Sequence, residues 1–137
     1  MTAPIVHVPD IIDFRDYQRL AMRTESVPTH LGEQAIKEHR IRHAILGFSS
    51  EGGEMVDADK RRHAYGKPYD EKNLLEEAGD LCWYLAILLD ALGVPLETVL
   101  EANIAKLRAR YPEKFTQEAA LNRDLVNERK VLEDKLK

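Results

Sequence analysis

Apolar residues recur along this 137-residue chain mostly at the three- and four-residue steps of an α-helix. This spacing predicts a first helix that begins after Asp13, which can serve as its N-cap. It also predicts a long or bent second helix over about 33–64 and a third helix over about 71–92. Pro95 and Pro112 mark the start and the end of a fourth. No stretch shows the alternation of a strand, so the predicted fold class is all-α.

The third helix contains the longest apolar run, residues 81–89, and is expected to be central. Residues 116–137 combine helix-forming residues with a narrow apolar stripe, which predicts a helical tail. We expect one domain over residues 1–137: an antiparallel bundle of four to five helices, with 1–12 as an N-terminal extension. A bundle this small leaves an apolar face uncovered, so we expect oligomerisation to complete it.

Composition narrows the classes of function. The net charge is -4, with a pI near 5.7, which argues against a protein that coats a nucleic-acid polymer. The apolar run is too short to cross a bilayer, which takes about 20 residues, and the first ten residues lack a signal-peptide pattern. The one cysteine, Cys82, lies in the apolar run and is predicted to be core. We therefore expect a cytoplasmic protein without disulfides.

Two acidic pairs carry the candidate chemistry. Glu51 and Glu54 are three residues apart in the second helix, and Glu77 and Asp80 repeat that step in the third. Residues three apart lie on nearly the same face of a helix. A turn near Gly66 allows the two helices to run antiparallel, which would bring the four carboxylates together. Their mutual repulsion would then need a counter-charge.

A hard divalent cation would supply that charge, and a carboxylate site without His or Cys suits Mg²⁺, with Mn²⁺ as a substitute. Solvated surface acids are the alternative interpretation. The apolar run beside Asp80, and the space left by Gly52, Gly53 and Gly79, favour the metal site. A polar and basic stripe suited to phosphates lies on the fourth helix and consists of Asn103, Lys106 and Arg110.

These motifs resemble the MazG-type branch of the all-α nucleoside triphosphate pyrophosphohydrolases. The resemblance rests on "EGGE" at 51–54, "EAGD" at 77–80 with the following "LCWYLAILL", and "NIAKLRARYPEKF" at 103–115.

The resemblance implies a Mg²⁺-dependent enzyme that cleaves a nucleoside or deoxynucleoside triphosphate to the monophosphate and pyrophosphate, in control or cleansing of the nucleotide pool. It implies a homodimer or homotetramer. It implies four catalytic and metal-binding residues: Glu51, Glu54, Glu77 and Asp80. It also implies that Asn103 and Lys106 bind the substrate and that Tyr84 lies at a position that can contact the base. To these we add Arg110 from the basic stripe.

Three alternatives stay open at this stage. Phosphoribosyl-ATP hydrolysis uses a similar acidic helix pair, although "RYPEKF" and the Trp83-Tyr84 pair favour the MazG-type branch. A di-iron carboxylate bundle normally needs Glu-x-x-His, and no histidine here follows a glutamate by three residues. The third alternative is a non-enzymatic helical module with solvated acids and a partner-binding tail.

Overall fold

The structure is a computed structural model that describes residues 13–137, and these form six α-helices and no β-strand. The predicted all-α class is therefore confirmed. The tail forms two helices, so the described residues contain six helices where the sequence predicted four to five. The expected extension 1–12 lies outside the described residues. The helices are α1 (Phe14–Met22), α2 (Glu33–Tyr65), α3 (Glu71–Ala91), α4 (Leu96–Arg110), α5 (Gln117–Leu121) and α6 (Leu125–Lys135).

Contacts divide the chain into two compact units, Met1–Gly93 and Val94–Lys137. The first holds α1 to α3, and the second holds α4 to α6. That the whole chain forms one domain stays a prediction.

The first unit is built on the packing of α2 against α3. Helix α2 is continuous for 33 residues and ends at Gly66, whose φ of 63° is the left-handed conformation that favours glycine at a helix C-cap. Asp70 then caps α3 by accepting a hydrogen bond from the Asn73 backbone N–H at 3.1 Å. This short connection returns the chain along α2, as the turn near Gly66 predicted.

Two polar contacts attach the remainder of the first unit. The Trp83 indole N–H of α3 donates to the Ala21 carbonyl at 3.2 Å and to the Thr24 hydroxyl at 2.9 Å, which fixes the end of α1 on α3. Arg40 of α2 donates to both carboxylate oxygens of Glu25 at 2.8 Å and to Asp90 at 2.6 Å. These bonds hold the pKa of the Arg40 guanidinium above its ordinary value.

Small side chains dominate the buried apolar residues. The described residues of this class are Ala21, Ala44, Ala86, Ile87, Leu89, Ala91, Leu96 and Ala102. The prediction that Cys82 is core is wrong, because its side chain is exposed. The apolar run passes around the circumference of α3, and only some faces of that helix are covered by its neighbours.

In the second unit, α4 packs against α6 around an ion pair. Glu128 of α6 is only 4% exposed and accepts hydrogen bonds from Arg110 of α4 at 2.9 and 2.6 Å. Arg123 donates to the same carboxylate at 3.3 and 2.8 Å. Helix α6 is therefore joined to α4 by an ion pair whose carboxylate is buried.

Candidate functional site

Three carboxylates from two helices meet in the first unit. One oxygen each of Glu51, Glu77 and Asp80 can be chosen so that all three lie within 4.8 Å of one another. Glu77 is buried at 7% exposure, Glu51 is half-buried and Asp80 is exposed. The group thus runs from the interface of α2 and α3 out to solvent, and a cation could enter it from that side.

Glu54 is not a member of this three-carboxylate group, and its side chain is exposed on α2. Repulsion by its charge is nevertheless one of the causes that raise the pKa of Glu51. The structure therefore brings together three of the four predicted acids and leaves Glu54 at their edge.

The cluster is electrostatically unfavourable without a cation. A hydrogen bond with the Glu77 carboxyl is the largest cause that raises the pKa of Glu51, followed by burial and by repulsion from Glu77, Asp80 and Glu54. A bound cation would offset the repulsion among these carboxylates, so the donor set fits a hard metal ion.

The buried acid has a partner that the sequence did not single out. The Asn73 side-chain amide donates to Glu77 Oε1 at 2.8 Å from four residues earlier on α3. The signal was present in the sequence: Asn73 is four residues before an acid and three after a helix-capping aspartate.

Tyr17 of α1 was also missed. Burial is the largest cause that raises the pKa of its hydroxyl, and the charges of Cys82 and Asp80 raise that pKa further. Tyr17 and Asp80 belong to two helices that pack together, α1 and α3.

Tyr84, the predicted base-contacting residue, is half-buried among aromatic rings. Its ring centroid lies 5.0 Å from that of Trp83 and 5.6 Å from that of His43, both in edge-on arrangements. Gly47 of α2 lies against the same ring, and a Cβ placed on it would come within 2.0 Å of the tyrosine.

An open apolar groove of about 200 Å³ runs beside Tyr84. We call it the α2–α3 groove. It is lined by Ala44, Ile45, Phe48, Ser49, Tyr84, Leu85 and Leu88.

The three glycines beside the acids have open space around them. A Cβ on Gly52, Gly53 or Gly79 would meet no atom within 4 Å. Nothing within the described part of the chain requires glycine there, so the space they leave is available to solvent or a ligand.

The other predicted substrate residues belong to the second unit. Asn103 is exposed and Lys106 is half-buried on α4. The guanidinium of Arg110 is bonded to Glu128, so contact with a phosphate would require exchange of that ion pair.

Comparison with known proteins decides the family. The sequence pattern of the MazG nucleotide pyrophosphohydrolase domain matches residues 40–115, more than half of the chain. The chain belongs to the MazG family. All eight predicted site residues lie inside the matched range, whereas α5 and α6 lie beyond it.

One similar protein is the "Gene 37 protein" of Mycobacterium phage L5, whose name states no activity. It is 32% identical over 87 residues, which make up 61% of this chain and 76% of that protein. No solved structure matches the MazG chain significantly. Over the described residues, no helix has both the length and the apolar character needed to cross a membrane.

Proposed function

We propose that this MazG-family protein is a metal-dependent nucleoside triphosphate pyrophosphohydrolase. The observation that carries the proposal is the convergence of Glu51, Glu77 and Asp80 from two helices of a MazG domain. Solvated surface acids would not be expected to share a group in which one member is 93% shielded from water, since burial of an uncompensated charge is costly.

Glu51, Glu77 and Asp80 would hold the cation, with Glu54 at the exposed edge of the site. Mg²⁺ is the expected ion and Mn²⁺ a substitute, because all these ligands are carboxylates. When bound, the metal would neutralise phosphate charge as it increases during the reaction.

The protein's own groups would position the substrate and accept a proton. Water attacks the α-phosphorus of the triphosphate, and the bond between that phosphorus and the pyrophosphate leaving group breaks. The proton of the attacking water passes to a carboxylate. Glu51 or Glu54 is the proposed acceptor. Such positioning and electrostatic work supplies most of the rate in phosphoryl transfer.

Substrate contacts are proposed at both ends of the nucleotide. Asn103, Lys106 and Arg110 would bind phosphates, through an amide and two cations. Tyr84 would contact the base, since aromatic rings stack on any nucleobase. The hydrogen-bonding groups beside the base would then decide which nucleobase the protein prefers.

The test is a pyrophosphate-release screen across ribo-, deoxyribo- and modified nucleoside triphosphates, with Mg²⁺ and with Mn²⁺. Phosphoribosyl-ATP belongs in the panel, and preferential hydrolysis of it would assign the protein to that reaction instead. Metal-dependent stabilisation by a non-hydrolysable triphosphate is a second readout. A helical interaction module would give neither signal.

We expect Asp80→Asn to abolish turnover with little change in stability, because Asp80 is exposed and the substitution removes one negative ligand. Pyrophosphate release and thermal unfolding of the same preparation measure both effects. Glu76→Gln is the matched control: Glu76 is an exposed acid on the same helix, outside the three-carboxylate group. Full activity in Asp80→Asn would refute the site.

We also propose that the protein is a homodimer or homotetramer, in which a second copy covers the α2–α3 groove. Ile45 and Phe48 on its wall are 52% and 47% exposed, while the buried apolar residues of the described chain are mostly alanines. Large apolar side chains left outside so small a core favour burial against an identical surface.

A further inference from the structure

Glu77 differs from the other acids of the cluster in its surroundings. Its side chain is the most buried of the three, and the structure gives it a hydrogen-bond donor, the side-chain amide of Asn73 at 2.8 Å from Oε1. A buried carboxylate has lost the water that would otherwise hydrogen-bond to it, so a donor from the protein takes that place and fixes its orientation.

Asn73 is itself held in place. It is the third residue of α3, where its backbone N–H is bonded to the capping Asp70. Its side chain then reaches one turn along the helix to Glu77, a distance that suits an i to i+4 pair. Asn73 thus links the helix cap to the buried acid, because its backbone N–H donates to Asp70 and its side-chain amide donates to Glu77.

We propose that Asn73 is a positioning residue for the metal site: its side-chain amide fixes the plane of the Glu77 carboxylate. The inference rests on the proposed metal-binding role of the cluster. Substitution of a residue that hydrogen-bonds to a metal ligand and orients it commonly lowers metal affinity by about 10- to 100-fold. Asn73 would act through Glu77, without touching the metal or the nucleotide.

The test is Mn²⁺ binding to the full chain, measured by calorimetry and by electron paramagnetic resonance without nucleotide. Asn73→Leu keeps the branched shape of the side chain, and leucine is a good helix former, but it has no hydrogen-bond donor. We expect its Mn²⁺ affinity to fall about 10- to 100-fold. Asn73→Gln retains an amide and is expected to recover part of the loss, which a purely structural role would not predict.

The chain provides a matched control in α6. Asn127 is also the third residue of a helix, with its backbone N–H bonded to the capping Asp124 at 2.9 Å, but the residue four positions later is Val131. Asn127→Leu should therefore leave Mn²⁺ affinity unchanged. Thermal unfolding without metal identifies any variant that has lost its fold, and Asn73→Gln then serves as the folded comparison.

The outcomes separate this inference from the proposed function. If the wild-type chain binds Mn²⁺ and Asn73→Leu binds it within about twofold of wild type, well below the change expected for such a partner, Asn73 has no positioning role, although the metal site stands. If the wild-type chain binds no Mn²⁺, the metal-binding role of the cluster fails, and the role of Asn73 fails with it.

Discussion

At the residue scale, Gly47 shows how a single missing side chain shapes this protein. It is buried on α2 against the ring of Tyr84. A Cβ there would come within 2.0 to 2.4 Å of three ring atoms, so the ring would have to move. Glycine is needed here for close approach, not for an unusual backbone angle.

We expect Gly47→Ala to displace the Tyr84 ring and to lower the free energy of unfolding by about 1–3 kcal/mol, the usual cost of overpacking. Urea denaturation measures the change. Gly52→Ala is the control on the same helix, since its Cβ would meet nothing within 4 Å. There alanine should stabilise by about 0.5–1 kcal/mol, because glycine is the weaker helix former. Equal effects of the two substitutions would contradict this account.

Sequence reasoning at this scale found the acids but not their surroundings. Three-residue spacing placed Glu77 and Asp80 on one face, and the structure brings them to Glu51. Spacing alone gave no reason to prefer Gly47 over Gly52, because the difference lies in the opposing helix. Cys82 was misplaced for a similar reason: an apolar run marks a buried helix without saying which of its faces are covered.

At the element scale, the Arg40 ion pairs hold the first three helices together. The Arg40 side chain is 17% exposed and that of Glu25 is 4% exposed, so their contact is largely shielded from water. Arg40 also reaches Asp90 near the end of α3. One guanidinium therefore links α2 to the chain that follows α1 and to α3.

We expect Arg40→Met to destabilise the protein by about 3 kcal/mol, because removing one member of a buried pair leaves the other charge uncompensated. Chemical denaturation tests this. Arg19→Met is the comparison, since the Arg19 side chain is 65% exposed in its pair with Asp16 and should change stability by about 0.5 kcal/mol or less. A small effect of Arg40→Met would mean that water or another cation replaces the guanidinium.

The pair between α4 and α6 predicts a dependence on pH. Hydrogen bonds from Arg110 and then Arg123 lower the pKa of Glu128 from 4.5 to about 2. Because the pKa is lower in the folded state, the ionised carboxylate stabilises the fold fully above pH 4.5. That stabilisation is lost as the pH falls from there towards about 2.

We expect Glu128→Gln to be less stable than wild type at neutral pH, with the difference shrinking as the pH falls through this range. Denaturation followed at several pH values, by a probe in the second unit, measures it. Glu133→Gln alters an exposed pair on the same helix, with Arg129, and should leave the acid limb of the curve unchanged. A difference that stays constant with pH would show that Glu128 is not the titrating group.

At the scale of the whole molecule, the exposed apolar residues predict self-association. Light scattering at micromolar concentration should give about two or four times the chain mass of 15.7 kDa. Ile45→Glu and Phe48→Glu each place a charge on the α2–α3 groove and should shift the protein towards monomer. Val126→Glu, at a residue 82% exposed on α6, is the control. A wild-type monomer would overturn the proposed assembly.

The sequence by itself determined the all-α class, the bounds of the long helices to within a residue or two, the MazG resemblance and the acids proposed for the site. Helical period, capping residues and motif spacing are local properties, which is why they can be read without a fold. Only the tertiary structure decided that Glu51, Glu77 and Asp80 meet while Glu54 stays at the edge, and that Glu77 is the buried member of the group. These features depend on the rotation and depth of one helix against another, which are set by packing between residues distant in the chain.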